Sequence, residues 1–230
     1  DKIYPYGLVE GKSDYYIVRE NGKEAIFDRY GNRITEWFEG ISVNGLVEGE
    51  SNLYVARKRW GERSWGETIF DVNGNQISPE WFDDVKRFGL VMGHSNYYIA
   101  VKDGKKAIFD KNGKMISPGW LDEIEKDGLV DGESKYYRAK KNGKCAIFDI
   151  GNRITDWYDD VSLEGLVRGE SKYYIAKKGW KEAIFDKDGN MISPQWFDWI
   201  GEDGLVKMQS KYYLASKNGK YAIFDRDGNQ

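Results

Sequence analysis

Apolar and polar positions along the chain repeat one pattern six times. Each copy starts with Gly-Leu-Val and continues through a Tyr-Tyr-rich run and an Ala-Ile-Phe run or its equivalent, and the first five end near Trp-Phe-Asp or its equivalent. The copies start at intervals of 38, 44, 39, 37 and 39 residues. A period of this length indicates a repeat architecture, in which each unit buries its apolar surface against its neighbours. The copies start at Gly7, Gly45, Gly89, Gly128, Gly165 and Gly204.

The fifth copy shows the predicted elements. Strands are predicted at 165–167, 173–176 and 183–185, and a fourth strand runs from 191 to 198. Aromatic and β-branched residues dominate these runs, and Gly, Asn or Asp bounds them, as in hairpins. No segment keeps apolar residues at i, i+3 and i+4, so the predicted class is all-β.

The two middle runs of each copy are apolar at consecutive positions, which indicates a sheet covered on both faces. Four strands in about 40 residues match one blade of a β-propeller, and six blades lie within the usual range. We predict a single repeat domain over residues 1–230, a six-bladed β-propeller of roughly 38-residue four-stranded units. An open β-solenoid array is the alternative. The units begin near residues 7, 45, 89, 128, 165 and 204.

The two ends of the chain provide a test of ring closure. Residues 1–6 align with the end of a unit, at 83–88, and the chain stops at 228–230, just before an expected Ile-Ser-Pro-x-Trp-Phe segment. We expect residues 1–6 to complete the last unit; a slice of a longer array is the alternative. The start at Asp1 rather than Met favours a processed, exported protein or a fragment, without fixing the compartment.

The repeat consensus resembles a known family. Gly-Lys-x-Ala-Ile-Phe-Asp-x-x-Gly-Asn-x-Ile-Ser-Pro-x-Trp-Phe-Asp-x-Ile-x-x-x-Gly-Leu-Val is similar, over the whole chain, to the units of the bacterial WG (KWG) β-repeat proteins. Those units carry a Trp-Gly-Tyr-Ile-Asp-x-x-Gly core, then Tyr-Asp and Gly-Leu-Ala. Here the Trp-Gly pair is replaced, for example by Cys145-Ala146 or Tyr221-Ala222. The resemblance implies repeat-mediated binding and no chemistry.

Composition narrows the class of partner. Aromatic residues make up 15% of the chain and charged residues 32%, as in a folded protein with a solvated surface. The 35 basic and 38 acidic residues are interleaved, which is unlike the basic patch of a nucleic-acid binder. No apolar run approaches the roughly 18 residues of a membrane span. We therefore expect a monomer that binds a protein or a glycan, with no nucleic acid and no membrane span.

No catalytic, metal or cofactor site is predicted. The segment 186–190 resembles a calcium loop, but its composition suits a hairpin turn and its glycine comes too early for an EF-hand. His94 has no Ser or Cys placed to form a triad. Cys145 is the single cysteine and lies at a repeat position where the residue type varies, so we expect an accessible thiol. Pairs of adjacent acidic residues, such as 83–84, recur from one repeat to the next. This recurrence indicates a solvated acidic rim rather than a glycosidase site.

Departures from the repeat are the candidate binding positions. The second unit replaces a tight hairpin with residues 57–66, and the fifth carries an aromatic residue in the matching turn. Aromatic and arginine side chains at loop tips are typical of binding hot spots. We predict a non-enzymatic protein-recognition scaffold that uses one end of the propeller; the alternative is that these tryptophans fold back over the ring. The candidate residues are Arg59, Trp60, Arg63, Trp65 and Trp180.

The tryptophan that recurs before the Phe-Asp or its equivalent has two interpretations. We favour packing between units, as is usual for a periodic large aromatic residue. The alternative function is a multivalent carbohydrate-binding lectin, in which each tryptophan stacks on a sugar. The residues concerned are Trp37, Trp81, Trp120, Trp157 and Trp196.

Overall fold

The computed structural model describes residues 1–60 and 64–230, and for Trp60 it describes the backbone alone. The chain divides into two compact units, Asp1–Gly119 and Trp120–Gln230. Each unit contains three antiparallel sheets, and the described residues form no helix. The predicted all-β class is confirmed, with one sheet for each sequence repeat. The prediction of a single domain over residues 1–230 stays a prediction.

The first unit has nine strands in three sheets. These strands are β1 (Lys2–Tyr4), β2 (Tyr15–Glu20), β3 (Lys23–Asp28), β4 (Gly40–Ile41), β5 (Leu53–Trp60), β6 (Ser64–Asp71), β7 (Asp84–Val85), β8 (Tyr97–Lys102) and β9 (Lys105–Asp110). The strand orders are β1-β2-β3, β4-β5-β6 and β7-β8-β9. Each sheet therefore consists of one short strand beside one hairpin.

The second unit repeats this arrangement with one additional short strand. Its strands are β10 (Glu123–Ile124), β11 (Tyr136–Lys141), β12 (Lys144–Asp149), β13 (Asn152–Arg153), β14 (Asp160–Val161), β15 (Tyr173–Lys178), β16 (Lys181–Asp186), β17 (Trp199–Ile200), β18 (Tyr212–Lys217) and β19 (Lys220–Asp225). The strand orders are β10-β11-β12-β13, β14-β15-β16 and β17-β18-β19.

The hairpin in each sheet follows the sequence pattern. In the fifth sheet, β15 and β16 pair with Tyr173 opposite Asp186, so the strands predicted around 173–176 and 183–185 are confirmed. In the first sheet, the hairpin turns at Asn21 and Gly22, whose φ angles are 51° and 80°. A type I′ turn requires positive φ at both positions, which Asn and Gly adopt at low cost.

The predicted strand at Gly-Leu-Val is wrong. Residues 165–167 form a turn, and the amide of Leu166 donates a hydrogen bond of 2.8 Å to the carbonyl of Tyr173. Gly165 has a φ of +80°, which lies outside the extended region that a strand needs. The β propensity of Leu and Val therefore yields to the conformation of the glycine before them.

The predicted fourth strand, at 191–198, is reduced to two isolated bridges. Between the bridges, the hydroxyl of Ser193 accepts the amide hydrogen of Ile184 at 3.1 Å, and Pro194 has no amide hydrogen to donate. The chain then pairs in the next sheet, through Trp199–Ile200. This segment therefore lies beside β16 at both of its ends without forming a continuous strand, and the sheets have three strands, or four where β13 is present.

The apolar core lies between consecutive sheets. Ile17 and Ile26 of the first sheet belong to one buried cluster with Ile41 and Val47 of the second repeat. The fifth and sixth sheets share a second cluster of the same kind. Within each unit, a repeat thus buries its apolar face against the next, as the sequence period predicts.

The first and last sheets expose positions that are buried in the other sheets. Ile3 and Val9 are 64% and 72% exposed, although their counterparts in the second repeat are buried. Leu214 and Ile223 are 38% and 61% exposed, whereas the residues at their positions in the first sheet are buried. The strand containing Ile3 pairs with β2; the expected role of residues 1–6 in completing the last unit stays a prediction.

Glycine is required where consecutive repeats approach each other. A Cβ atom on Gly165 would lie 2.3 Å from the carbonyl oxygen of Tyr173 and 3.0 Å from that of Val206, in the next repeat. Carbon and oxygen atoms do not pack at 2.3 Å, so a side chain here would force the backbones apart.

We expect Gly165→Ala to lower the free energy of unfolding by roughly 3 kcal/mol or more, since the positive φ and the close carbonyls both oppose a methyl group. Gly143→Ala is the matched control, because Gly143 has a φ of +76° but no atom within 4 Å of its Cβ position. That control should lose about 1 kcal/mol. Urea unfolding measures both, and equal losses would contradict the importance of the close approach.

Candidate functional site

The longest hairpin is the one that the sequence predicted as a loop. Strands β5 and β6 extend to Trp60 and Ser64, so residues 57–60 and 64–66 lie in strands, and Arg59 is paired with Trp65. The departure from the repeat therefore lengthens a regular hairpin instead of replacing it. Arg63 and the side chain of Trp60 lie outside the described residues.

Trp65 is an exposed aromatic residue between two arginines. Its side chain is 45% exposed, and the guanidinium carbons of Arg57 and Arg59 lie 5.9 and 5.7 Å from its ring centre. At these distances a guanidinium is attracted to the negative face of the indole. Because these three residues alternate along paired strands, they occupy the same face of the hairpin.

A buried carboxylate anchors this face. Glu67 accepts hydrogen bonds from Arg57 Nε at 3.0 Å, from Arg87 Nη2 at 2.9 Å and from the amide of Val85 at 3.1 Å. Burial alone would raise the pKa of Glu67, but the hydrogen bonds and charges of Arg87 and Arg57 outweigh it and lower the pKa from 4.5 to about 2. The hairpin is thus tied to the third sheet through a charged, hydrogen-bonded carboxylate.

Trp180 lies at the tip of the fifth hairpin, between β15 and β16. Its side chain is 94% exposed. The turn is Gly179-Trp180, and of these two residues Gly179 has the positive φ, 60°. This geometry matches a type II′ turn, which needs glycine at its first central position and accepts any side chain at the second. The amide of Gly179 donates a hydrogen bond of 2.6 Å to Asp159, which holds the turn in place.

The predicted binding residues lie in separate units. Arg59 and Trp65 belong to the first unit and Trp180 to the second. Their predicted position on one end of a propeller stays a prediction.

The recurring tryptophans are half-buried and packed on aromatic neighbours. Trp37, Trp81, Trp157 and Trp196 each meet the phenylalanine of the preceding Ile-Phe run, at centroid distances of 6.1, 6.1, 5.9 and 5.9 Å. Trp120 is also half-buried and makes contacts of its own.

Cations lie over three of these rings. They belong to Arg33 over Trp37, Lys58 over Trp81 and Arg153 over Trp157, at 5.9, 5.7 and 5.6 Å. A sugar that stacked on these faces would compete with a cation already placed there. The contacts favour the packing interpretation, and the lectin alternative stays a prediction.

The structure brings together a cleft that the sequence interpretation missed. A cavity of about 520 Å³ in the second unit is lined by Trp199 together with Arg138, Asp160 and Lys177. Trp199 is 44% exposed, and its ring meets the edge of Tyr221 at 6.3 Å. The signal was present in the sequence, since this position holds Gly or an acidic residue in the preceding repeats.

Arg138 is a second departure that the sequence interpretation missed. It stands where other repeats have Ile, Val or Leu. Its guanidinium donates to Asp160 at 3.0 Å, to Glu125 at 3.0 Å and to the carbonyl of Val161 at 2.7 Å. A charge therefore occupies a position that is apolar in the other repeats, and it is neutralised by two acids.

Cys145 is buried, so the expectation of an accessible thiol is wrong. The backbone of Cys145 forms an isolated β-bridge with Tyr158, which lies in the segment that leads into the next sheet. Burial raises the pKa of the Cys145 thiol, and the neighbouring charge of Asp160 adds to this shift. A buried thiol with a raised pKa is a poor nucleophile.

The acidic segments act as turns and turn caps. Asp186 accepts hydrogen bonds from the amides of Asp188 and Asn190, both at 2.9 Å, which confirms the predicted hairpin turn. The first acid of each pair caps the following hairpin, as Asp83 does for the amide of Asp103 at 2.7 Å. Within residues 1–60 and 64–230, no three His, Cys, Asp or Glu side chains are grouped to hold a metal ion.

No helix in the described part of the chain has the length and apolar content needed to cross a membrane. No protein-family model matches the sequence, and no curated protein matches it. The likeness to WG-repeat proteins therefore remains a resemblance.

Several solved structures are similar in part. A eukaryotic initiation factor gives a TM-score of 0.49 at 12% identity, over 94% of this chain and 61% of the other. Hsv2p from Kluyveromyces lactis gives 0.38 at 11% identity, over 94% and 72%. TolB from Acinetobacter baumannii gives 0.32 at 17% identity, over 77% and 49%. The chain thus spans less than two thirds of the initiation-factor chain.

The lowered pKa of Glu67 predicts a specific pH dependence. Because the pKa falls on folding, the carboxylate contributes its full stability above pH 4.5 and loses it as the pH falls towards 2. Glu67→Gln should reduce the free energy of unfolding at pH 7 by on the order of 2 kcal/mol. The difference between wild type and variant should shrink below pH 4.

Unfolding temperatures measured from pH 7 to pH 2.5 test this prediction. Glu80→Gln is the control, since the Glu80–Lys102 pair is exposed on both sides and should contribute little. The difference in unfolding temperature between the wild type and Glu67→Gln should depend on pH. A difference that stays constant over the whole pH range would contradict the assigned role of Glu67.

Proposed function

We propose that this chain is a non-enzymatic protein-recognition scaffold that presents aromatic and arginine side chains on β-hairpins. The observation that supports it is the exposure of Trp65 and Trp180, 45% and 94%, on regular hairpins whose geometry is set by the backbone. Exposing an indole to water is costly, and Trp and Arg are enriched among residues that dominate protein binding.

Rigidity favours recognition at these positions. The guanidinium groups of Arg57 and Arg59 lie against the ring of Trp65, and buried Glu67 holds Arg57. At Trp180 the backbone of the turn is held instead, through the hydrogen bond from the Gly179 amide to Asp159. Side chains that are already ordered lose little conformational entropy when a partner binds, so more of the contact energy appears as affinity.

The scaffold itself is proposed to be a six-bladed β-propeller. Within the chain, Ile17 and Ile26 pack with Ile41 and Val47 of the next repeat. Leu214 and Ile223, which are exposed in the last sheet, take the repeat positions of Ile17 and Ile26. Ile3 and Val9, which are also exposed, take the repeat positions of Ile41 and Val47. Closing the ring would bury both exposed sets with contacts that the interior repeats already use.

Thiol labelling tests ring closure. In a Cys145→Ser background, Ile223→Cys should react with a maleimide as slowly as Ile184→Cys, its buried counterpart in the fifth sheet. Tyr30→Cys gives the rate of an exposed control, since Tyr30 is 81% exposed. Light scattering run alongside establishes that the labelled protein is a monomer. Reaction of Ile223→Cys at the Tyr30→Cys rate would contradict a closed ring.

Peptide selection tests the recognition proposal. A random peptide library panned against the wild type should yield binders that lose at least about tenfold in affinity with Trp65→Ala plus Trp180→Ala. The control is Tyr30→Ala, which removes another exposed aromatic residue elsewhere in the chain. Peptides that bind the double variant at full strength would contradict the proposal. Hits confined to a glycan array, and lost with Trp81→Ala, would favour the lectin alternative instead.

A further inference from the structure

One turn glycine of the repeat is replaced in the last copy. Four residues after the first glycine, five copies carry a second glycine, and the sixth carries Met208. The five glycines have φ angles between 72° and 77°, and Met208 keeps nearly the same conformation, with φ 55°. A methionine in this region is strained by roughly 1 kcal/mol or more. The five glycines are Gly11, Gly49, Gly93, Gly132 and Gly169.

Three of these glycines, Gly49, Gly93 and Gly169, allow consecutive turns to touch. A Cβ atom on Gly49 would lie 2.2 Å from the carbonyl oxygen of Lys12 in the preceding repeat, and one on Gly169 would lie 2.7 Å from that of Glu133. A serine hydroxyl seals the same contact, as Ser134 does by donating to the carbonyl of Val167 at 2.5 Å. No residue with a Cβ atom can approach the preceding turn this closely.

The contact is open at Met208. Among the described residues, the hydroxyl of Ser171 makes no hydrogen bond to Val206, although the corresponding Ser134 bond is present one repeat earlier. A cavity of about 580 Å³ lies here, bordered by Tyr173 of the fifth repeat and by Leu205 and Met208 of the sixth. The loss of one glycine thus coincides with a space between turns that pack tightly elsewhere.

The lining of this cavity has one sign of charge. Its apolar part consists of Tyr173, Leu205 and Met208, and the remaining members are Ser210 and three cations. No carboxylate in the described part of the chain borders it. Within the described residues, two of these cations form no ion pair, and the third has only a distant one, to Asp227 at 3.9 Å. The three cations are Lys172, Lys211 and Arg226.

We propose that this cavity binds a small amphipathic anion, an apolar chain or ring that ends in a carboxylate. The apolar body would lie against Tyr173, Leu205 and Met208, where burial is favourable. The carboxylate would meet the lysine and arginine head groups, which bind such anions by charge-assisted hydrogen bonds. The volume lies within the range of small-molecule sites. This site is independent of the hairpin surface proposed for protein recognition.

Met208→Gly provides a test that does not risk the fold. Glycine relieves the strained φ and allows the turn to pack as it does in the other repeats, so the variant should be at least as stable as wild type. It should also close the cavity. The probe is decanoate below its micellar concentration, titrated by calorimetry into the whole chain.

We expect decanoate to bind the wild type and to lose roughly tenfold or more in affinity with Met208→Gly. Lys172→Gln plus Lys211→Gln should weaken decanoate by a similar factor while leaving the affinity for uncharged 1-decanol unchanged. Gly143→Ala, in a turn of the fourth repeat, is the control and should leave binding at the wild-type value.

Three results would overturn the proposal. One is the absence of decanoate binding to the wild type, and another is equal affinity of the wild type and Met208→Gly. The third is equal affinity for decanoate and 1-decanol, both unaffected by the lysine substitutions, which would indicate adsorption to exposed apolar surface instead of recognition of an anion.

Discussion

The fold depends on close contact between the backbones of consecutive repeats. Three short strands cannot enclose an apolar core, so residues such as Ile17 and Ile26 are buried by the next repeat. That burial requires the turn of one repeat to approach a carbonyl of the next within a distance that no Cβ atom permits, as at Gly128, where a Cβ atom would lie 2.6 Å from the carbonyl oxygen of Val167. Glycine at this position therefore does two things at once: it adopts a positive φ, and it leaves room for the neighbour.

The hairpins could be predicted from the sequence because their determinants are local. Apolar runs on both sides of an Asn-Gly turn specify strand, turn and register together, as at Asn21. The Gly-Leu-Val segment could not be assigned from composition, because the residues that shape it, such as Tyr173 and Val206, lie elsewhere in the sequence. The Ser-Pro connection was misassigned for a similar reason, since Ser193 replaces a backbone partner with its side chain.

The candidate sites show the same division between local and tertiary information. Trp180 was found from sequence because an aromatic residue in a turn is unusual by itself. Trp199 and Arg138 were missed although they also break the repeat, because their meaning depends on the cleft that they line. Met208 was missed because its significance is a lost contact between turns. Cys145 was misjudged because a variable slot is not necessarily an exposed one; this slot faces the connection to the next sheet.

Consecutive repeats are stable only together, through the glycine contact between them. Native-state hydrogen exchange of Gly165→Ala tests it most directly, because exchange reports stability strand by strand. If the contact stabilises both repeats, amides in both β15 and β18, on the two sides of the altered contact, lose protection relative to Gly143→Ala. Loss of protection confined to β15 would contradict it, because the glycine would then serve its own sheet alone.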